Sequence, residues 1–310
     1  MRDIRESIIV TADWHLTDRA PRCRDEKTWM DRQHDALRFV FKTAKEYNAS
    51  VVCAGDVFDR YSVEGKVLCM LFDVMDVFRV PVFTIAGNHD LHYRTLNDVD
   101  NTSYGVFRCY RNALLELLER KGLMNNNLFL GFKGYDYGSF NGHASPASNY
   151  EMAVLHQLTF KECIPPQIKN GTTAAKLLQC FSFVKYVIVG DNHHPFTYQE
   201  EDRWVVNPGA LIRHSIDLRD VETGVYLLQS GKSPEFIVYE DDEVLKDTRV
   251  VVESVSQTDL TALIRMFKES SVGISDFTAL LKDGVYALDC DSVVKDKIIR
   301  FIEEMKMDVR

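Results

Sequence analysis

A chain of 310 residues has room for one large domain, or for one domain with a smaller companion. Its 45% hydrophobic content excludes wholesale disorder, and no run approaches the roughly 20 apolar residues that a membrane-spanning helix needs. The formal net charge of −9 weighs weakly against a nucleic-acid partner, which usually leaves a basic footprint, although metal-binding carboxylates would contribute to that charge.

Residues 8–12 (Ile-Ile-Val-Thr-Ala) form a short, β-branched, apolar run that reads as a buried strand, and it leads directly into Asp13-Trp14-His15. Residues 26–47 read as a helix, with Trp29, Gln33, Leu37, Val40 and Ala44 on one stripe. A second strand over 51–54 ends in Gly55-Asp56. Residues 63–78 are helical and apolar on most faces. A third strand over 82–86 ends in Gly87-Asn88-His89-Asp90. This alternation predicts right-handed βαβ units, so that all three polar turns lie on one edge of a parallel sheet.

Residues 103–121 are expected to form another helix with Leu114, Leu115, Leu117 and Leu118 as its apolar face, and the Gly-, Asn- and Ser-rich stretch 131–148 reads as loop. A short strand over 153–156 ends on His156. Strands then recur over 186–189, 204–206, 225–228 and 236–239 without long helices between them, which predicts a second, partly antiparallel sheet packed on the first. The first of these runs ends in Gly190-Asp191-Asn192-His193-His194-Pro195.

The acidic run Glu240-Asp241-Asp242-Glu243 reads as a solvated linker. Beyond it come a strand (249–252), a helix after Ser256, a strand (285–288) and a helix (293–305). The expected architecture is therefore α/β: a two-sheet core flanked by helices over 1–240, and a small α/β module over 245–310. Seven cysteines without C-x-x-C spacing, and no apolar leader before the first strand, predict a reducing, cytoplasmic setting (host cytoplasm for a phage-encoded chain).

The recurring strand-end motifs resemble those of the calcineurin-like metallophosphoesterase superfamily: D-x-H, G-D, G-N-H-[DE], a lone His, then G-H-x-H. Here they stand as Asp13/His15, Gly55-Asp56, Gly87-Asn88-His89-Asp90, His156 and Gly190-Asp191-Asn192-His193. The resemblance implies two divalent ions that clamp the attacking and leaving oxygens of a phosphoryl displacement. It puts Asp13, His15 and His193 on one ion, Asn88, His156 and residue 191 on the other, and Asp56 between them. A mixed oxygen and nitrogen set without thiolate favours Mn²⁺, with Mg²⁺ as the alternative. His89 is implied as the group that protonates the leaving oxygen, and Asp90 as a carboxylate that orients it.

The family has His where this chain has Asp191; aspartate ligates through oxygen, and His194 reaching inward is the alternative. His34, His92 and His143 carry no motif and read as surface or loop residues. His214 follows the turn Asn207-Pro208-Gly209-Ala210, which the family uses beside its site. Asp59 reads as a brace for its loop.

Within the superfamily, Asp13-Trp14-His15-Leu16, Gly55-Asp56-Val57-Phe58-Asp59 and Asn207-Pro208-Gly209-Ala210 are similar to the SbcD-type nuclease subunits of double-strand-break repair complexes. That resemblance implies a DNA exonuclease and endonuclease with a capping domain, an SbcC-type ABC ATPase as partner, and a homodimer formed through helices near 63–79 and 103–121. The family usually continues beyond its cap into a segment that docks on the ATPase, whereas this sequence ends at Arg310. A small-molecule or phosphoprotein phosphoesterase is the rival reading. A non-catalytic scaffold with a degraded metal site is the third. Arg60, Arg94, Arg203 or Arg213 along an open groove would favour DNA.

Overall fold

The computed structural model describes residues 7–120, 132–140, 142, 150–241 and 245. The chain divides into two units, Met1–Arg249 and Val250–Arg310. The strands and helices expected within the small C-terminal module lie outside the described residues.

In chain order the elements are β1 (Ser7–Thr11), α1 (Trp29–Glu46), β2 (Ala49–Cys53), α2 (Gly65–Phe78), β3 (Val82–Thr84), α3 (Ser103–Arg120) and β4 (Phe132–Tyr135). There follow β5 (Met152–His156), β6 (Thr159–Phe160), β7 (Thr172–Thr173), α4 (Ala174–Cys180), β8 (Tyr186–Gly190), β9 (Phe196–Glu200), β10 (Arg203–Asn207), β11 (Thr223–Leu228) and β12 (Glu235–Tyr239). One five-stranded sheet has the order β12-β11-β1-β2-β3 and the other β4-β5-β8-β10-β9, with β6 and β7 as a separate pair.

Side chains alternate across each strand, and this alternation builds three apolar layers. From β1 and β2, Ile9, Val51 and Cys53 point to the helices, where they meet Leu37, Val40 and Phe41 of α1 and Leu71 of α2. Their neighbours Ile8, Val10 and Val52 point the other way, against Met152, Val154, Ile188 and Val206 of the second sheet. Ala153, Leu155, Val187 and Val189 face α4. Strands covered on both faces need no polar positions, which is why they read as continuous apolar runs. No helix among the described residues is long and apolar enough to cross a membrane.

Four expectations change. First, β11 and β12 do not extend the second sheet: β11 runs antiparallel to β1, pairing Ile8 with Leu228, and β12 lies at its outer edge. All six β11 residues are buried, as suits a strand flanked on both sides. Second, β4 lies inside the stretch read as loop, where it pairs in parallel with β5; the exposed Lys133 and Gly134 hide it from a hydrophobicity pattern. Third, α1 begins at Trp29, not 26, and α2 at Gly65. Fourth, Asp241 is no solvated linker residue. Its carboxylate is buried between Arg24 and Arg213, with Arg24 Nη1 at 3.2 Å and Arg213 Nε at 3.5 Å. Leu114 of α3 is buried as expected, whereas the side chains of 115–120 and all of His143 lie outside the described residues.

Candidate metal centre

The polar turns converge at the carboxyl ends of strands from both sheets. Asp13 and His15 follow β1, Asp56 follows β2, Asn88 and His89 follow β3, His156 ends β5, and Asp191 and His193 follow β8. Asp13, His15, Asp56 and Asp191 all have left-handed backbones, with φ of 49°, 45°, 50° and 77°. For residues with a side chain such conformations cost roughly 1–3 kcal/mol each and persist only where neighbours enforce them. The enforcement is a zipper between two turns: Asp13 N–H donates to Gly55 O (3.0 Å), His15 N–H to Asp56 O (3.1 Å) and Leu16 N–H to Val57 O (3.0 Å).

Asp56 sits at the centre. Its Oδ2 lies 3.2 Å from His156 Nε2 and 3.8 Å from His15 Nε2, and its Oδ1 accepts the backbone N–H of His89 at 2.8 Å. Gly87 is required for that approach, because a Cβ there would lie 2.0 Å from Asp56 Oδ1. His156 donates from Nδ1 to the carbonyl of Ala54 (2.8 Å), which leaves the Nε2 lone pair facing Asn88 Oδ1 (3.0 Å) and the Asp56 carboxylate. Three acceptors turned toward one another call for a cation, and this donor set fits a divalent metal ion.

A second concentration is made of imidazoles. His15 Nε2 and His193 Nε2 are 3.2 Å apart. The ring centroids of His15, His193 and His214 lie 4.6–5.1 Å from one another. Among the described residues, ligand atoms lie within 4.8 Å of one another in three groups: Asp13, Asp56 and His156; His15, Asp56 and His89; His15, His193 and His214.

Electrostatics match this crowding. Burial, reinforced by Asp56 against the pull of His156, pushes Asp13 up to about 7. Burial also acts to raise Asp56, yet His156, His89 and His15 outweigh it and hold that carboxyl well below the usual range. His15 is pushed up to about 9: burial opposes the charge, but Asp59, Asp56 and Asp13 together prevail. His214 is pushed down to about 3, by burial first and by His15 second.

Asp13, His15, Asp56, Asn88, His156 and His193 are thus brought together. Asp191 contributes differently: its backbone N–H donates to both carboxylate oxygens of Asp13 (3.2 and 3.1 Å), and its side chain belongs to none of the three groups. His194 is exposed and does not reach inward.

Asp90 does not orient His89. It is fully buried, and its carboxylate accepts the N–H groups of Phe58 (2.9 Å), Val57 (3.2 Å) and Gly87 (2.9 Å). The orienting acceptor is the carbonyl of Asp59, 2.7 Å from His89 Nδ1. That leaves Nε2 of the exposed His89 to carry or receive a proton.

Divalent metal at such a centre would supply Lewis-acid polarisation of a phosphoester. The chain's own side chains group the ligand atoms and fix the histidine tautomers, and His89 stands exposed beside them.

Similarity to solved structures is low in sequence and spans most of the chain. An archaeal phosphodiesterase is 13% identical over 75% of this chain and 99% of its own, with a TM-score of 0.39. A protein from Thermus thermophilus is 13% identical over 66% and 90%, with a TM-score of 0.38. Vacuolar Protein Sorting 29 from Cryptosporidium parvum is 12% identical over 76% and 97%, with a TM-score of 0.37. No curated protein matches by sequence. The calcineurin-like phosphoesterase family model matches residues 6–195, the span that carries all the ligand motifs from Asp13 to His193; this chain belongs to that family, whose members are metal-dependent hydrolases of phosphoester bonds.

Proposed function

We propose that this chain is a metal-dependent nuclease that hydrolyses DNA phosphodiesters, with Mn²⁺ as the preferred ion. In this reading it works as a homodimer with an SbcC-type ATPase in DNA repair or recombination. The supporting observation is an aromatic ladder next to the His89 loop. The Tyr61 and His92 rings are 4.3 Å apart, the His92 and Tyr93 rings 3.9 Å apart, and Tyr93 is 81% exposed. Tyr93 and Arg94 are both left-handed (φ 51° and 56°), a backbone cost spent on holding a large ring in water. Unpaired bases stack on exposed aromatic faces for about 1–3 kcal/mol each.

The cations are less favourable to this reading. Arg60 is bound to Asp18 (2.5 and 2.6 Å), Arg203 to Leu178 O (2.7 Å), and Arg213 to Asp241, whereas Arg94 is exposed. Binding that leans on stacking should therefore show a shallow salt dependence. These engaged arginines favour a second reading, a phosphoesterase for small molecules or phosphoproteins.

One experiment separates the two. Metal-free protein is loaded with Mn²⁺ and assayed on end-labelled single- and double-stranded DNA and on a chromogenic phosphodiester, beside Asp56→Ala and Tyr93→Ala. The nuclease reading expects DNA cleavage that Asp56→Ala abolishes and that Tyr93→Ala lowers about tenfold, with the small diester unaffected by Tyr93→Ala. Turnover of the small ester alone would establish the second reading. Silence on every substrate with metal bound would leave the scaffold.

A further inference from the structure

We infer that His214 is a metal ligand, and that with His15 and His193 it makes one position of the centre nitrogen-rich, beside an oxygen-rich one around Asp56, Asn88 and His156. The family pattern would put Asp13 and His15 on the same ion. The geometry adds a third imidazole there: ligand atoms of His15, His193 and His214 lie within 4.8 Å of one another, while His15 also lies that close to Asp56 and His89, and Asp13 to Asp56 and His156.

Three observations carry the assignment. The His214 Nδ1–H is spent on the carbonyl of Ile212 (3.2 Å), so Nε2 keeps the lone pair. The loop that bears His214 is pinned to the site itself, since Ala210 N–H donates to His193 O (3.1 Å) and Leu211 N–H to Asp13 O (3.3 Å). The loop's far end is held by Arg24, whose Nε donates to Arg213 O at 2.6 Å, and by Cys23, whose thiol lies 3.5 Å from His214 O. A histidine kept only for packing has no need of two further imidazoles within ligand distance.

The two positions are chemically unequal. Imidazole suits Zn²⁺, Fe²⁺ and Co²⁺, whereas carboxylate and carboxamide oxygens suit Mg²⁺ and Mn²⁺. The centre should therefore load in two steps with different ion preferences, and Mg²⁺ should fill only the oxygen-rich position.

The test titrates Co²⁺ into the metal-free full-length chain, read by calorimetry and by visible ligand-field absorption. Wild type, His214→Ala, His214→Gln and His194→Ala are compared. The expected result is two classes of site in wild type and in His194→Ala. His214→Ala should weaken the nitrogen-rich class at least tenfold and shift its absorption, and His214→Gln should weaken it less. Both classes unchanged within twofold in His214→Ala, or a loss in His194→Ala instead, would overturn the assignment. X-ray absorption of wild type carrying one equivalent of Zn²⁺ removes any dependence on how the variants fold. Three imidazole scatterers are expected, and two or fewer would sink the inference.

Discussion

The carbonyl oxygen of Asp59 accepts the Nδ1–H of His89 at 2.7 Å, while the carboxylate of the same residue lies 3.6 Å from His15 Nδ1. One residue thus sets the tautomer of the exposed histidine with its backbone and biases a buried histidine with its side chain. Substituting Asp59 cannot remove the first contact. His89→Asn should lower kcat by about 10²–10⁴ with metal affinity within twofold of wild type. Asp59→Ala should cost less than tenfold in kcat. Equal losses in the two variants, measured by steady-state kinetics on a phosphodiester, would refute the separation of roles.

Asp90 braces three backbone N–H groups. Removing its carboxylate leaves buried donors unsatisfied, at about 1–3 kcal/mol each. Asp90→Ala should therefore lower unfolding free energy by about 3 kcal/mol or more in denaturant titrations. Asp90→Asn keeps an acceptor and should lose less. Because Asp90 does not touch His89, Asp90→Asn should leave the pH profile of kcat in place, and a displaced profile would restore the orienting role.

Gly87→Ala sets a methyl 2.0 Å from Asp56 Oδ1 and 2.3 Å from Asp56 N. Backbone on one side and the central carboxylate on the other leave no flexible neighbour to yield. The substitution should destabilise the metal-free protein by about 3 kcal/mol and weaken metal binding at the same time. Thermal melts with and without Mn²⁺ test both effects; stability lost without any loss of affinity would place the clash elsewhere.

His15 is pushed up to about 9, and His156 well above its ordinary value by Asp56 against the opposing effect of burial. A histidine whose folded value is raised stabilises the fold below its unfolded value of about 6.5, and that stabilisation is lost as pH rises through the folded value. Metal-free protein should therefore lose Tm between pH 7 and 9. Metal competes with the same protons, so Mn²⁺ affinity should climb over that window. A flat metal-free Tm across pH 7–9, or an affinity that does not change with pH, would contradict the raised values of His15 and His156.

Much of the architecture was legible because it is written in local patterns. The β1, β2 and β8 runs are mostly apolar and are followed by ligand-type residues, so strand and chemistry could be read together. The sheet that receives β11 could not, because pairing Ile8 with Leu228 joins residues far apart in the chain and leaves no local signature. The reading of Asp90 failed for a related reason. Asp90 follows the motif in sequence, but a backbone carbonyl, which every residue possesses, orients His89. His214 stood out only as a hint, since its approach depends on the 208–214 loop folding back onto Asp13 and His193.

The ligand group Asp13, Asp56 and His156 draws two members from the first sheet and one from the second. Over most of their facing area the sheets are joined by hydrocarbon, Ile8 and Val10 against Met152 and Ile188. At the edge where the strands end, the join becomes ionic. An ion seated there would rivet two layers as well as serve chemistry. Stripping it should loosen that seam first, so the earliest exchanging amides of the metal-free protein should belong to the turns after β1, β2 and β5 and not to the strands behind them.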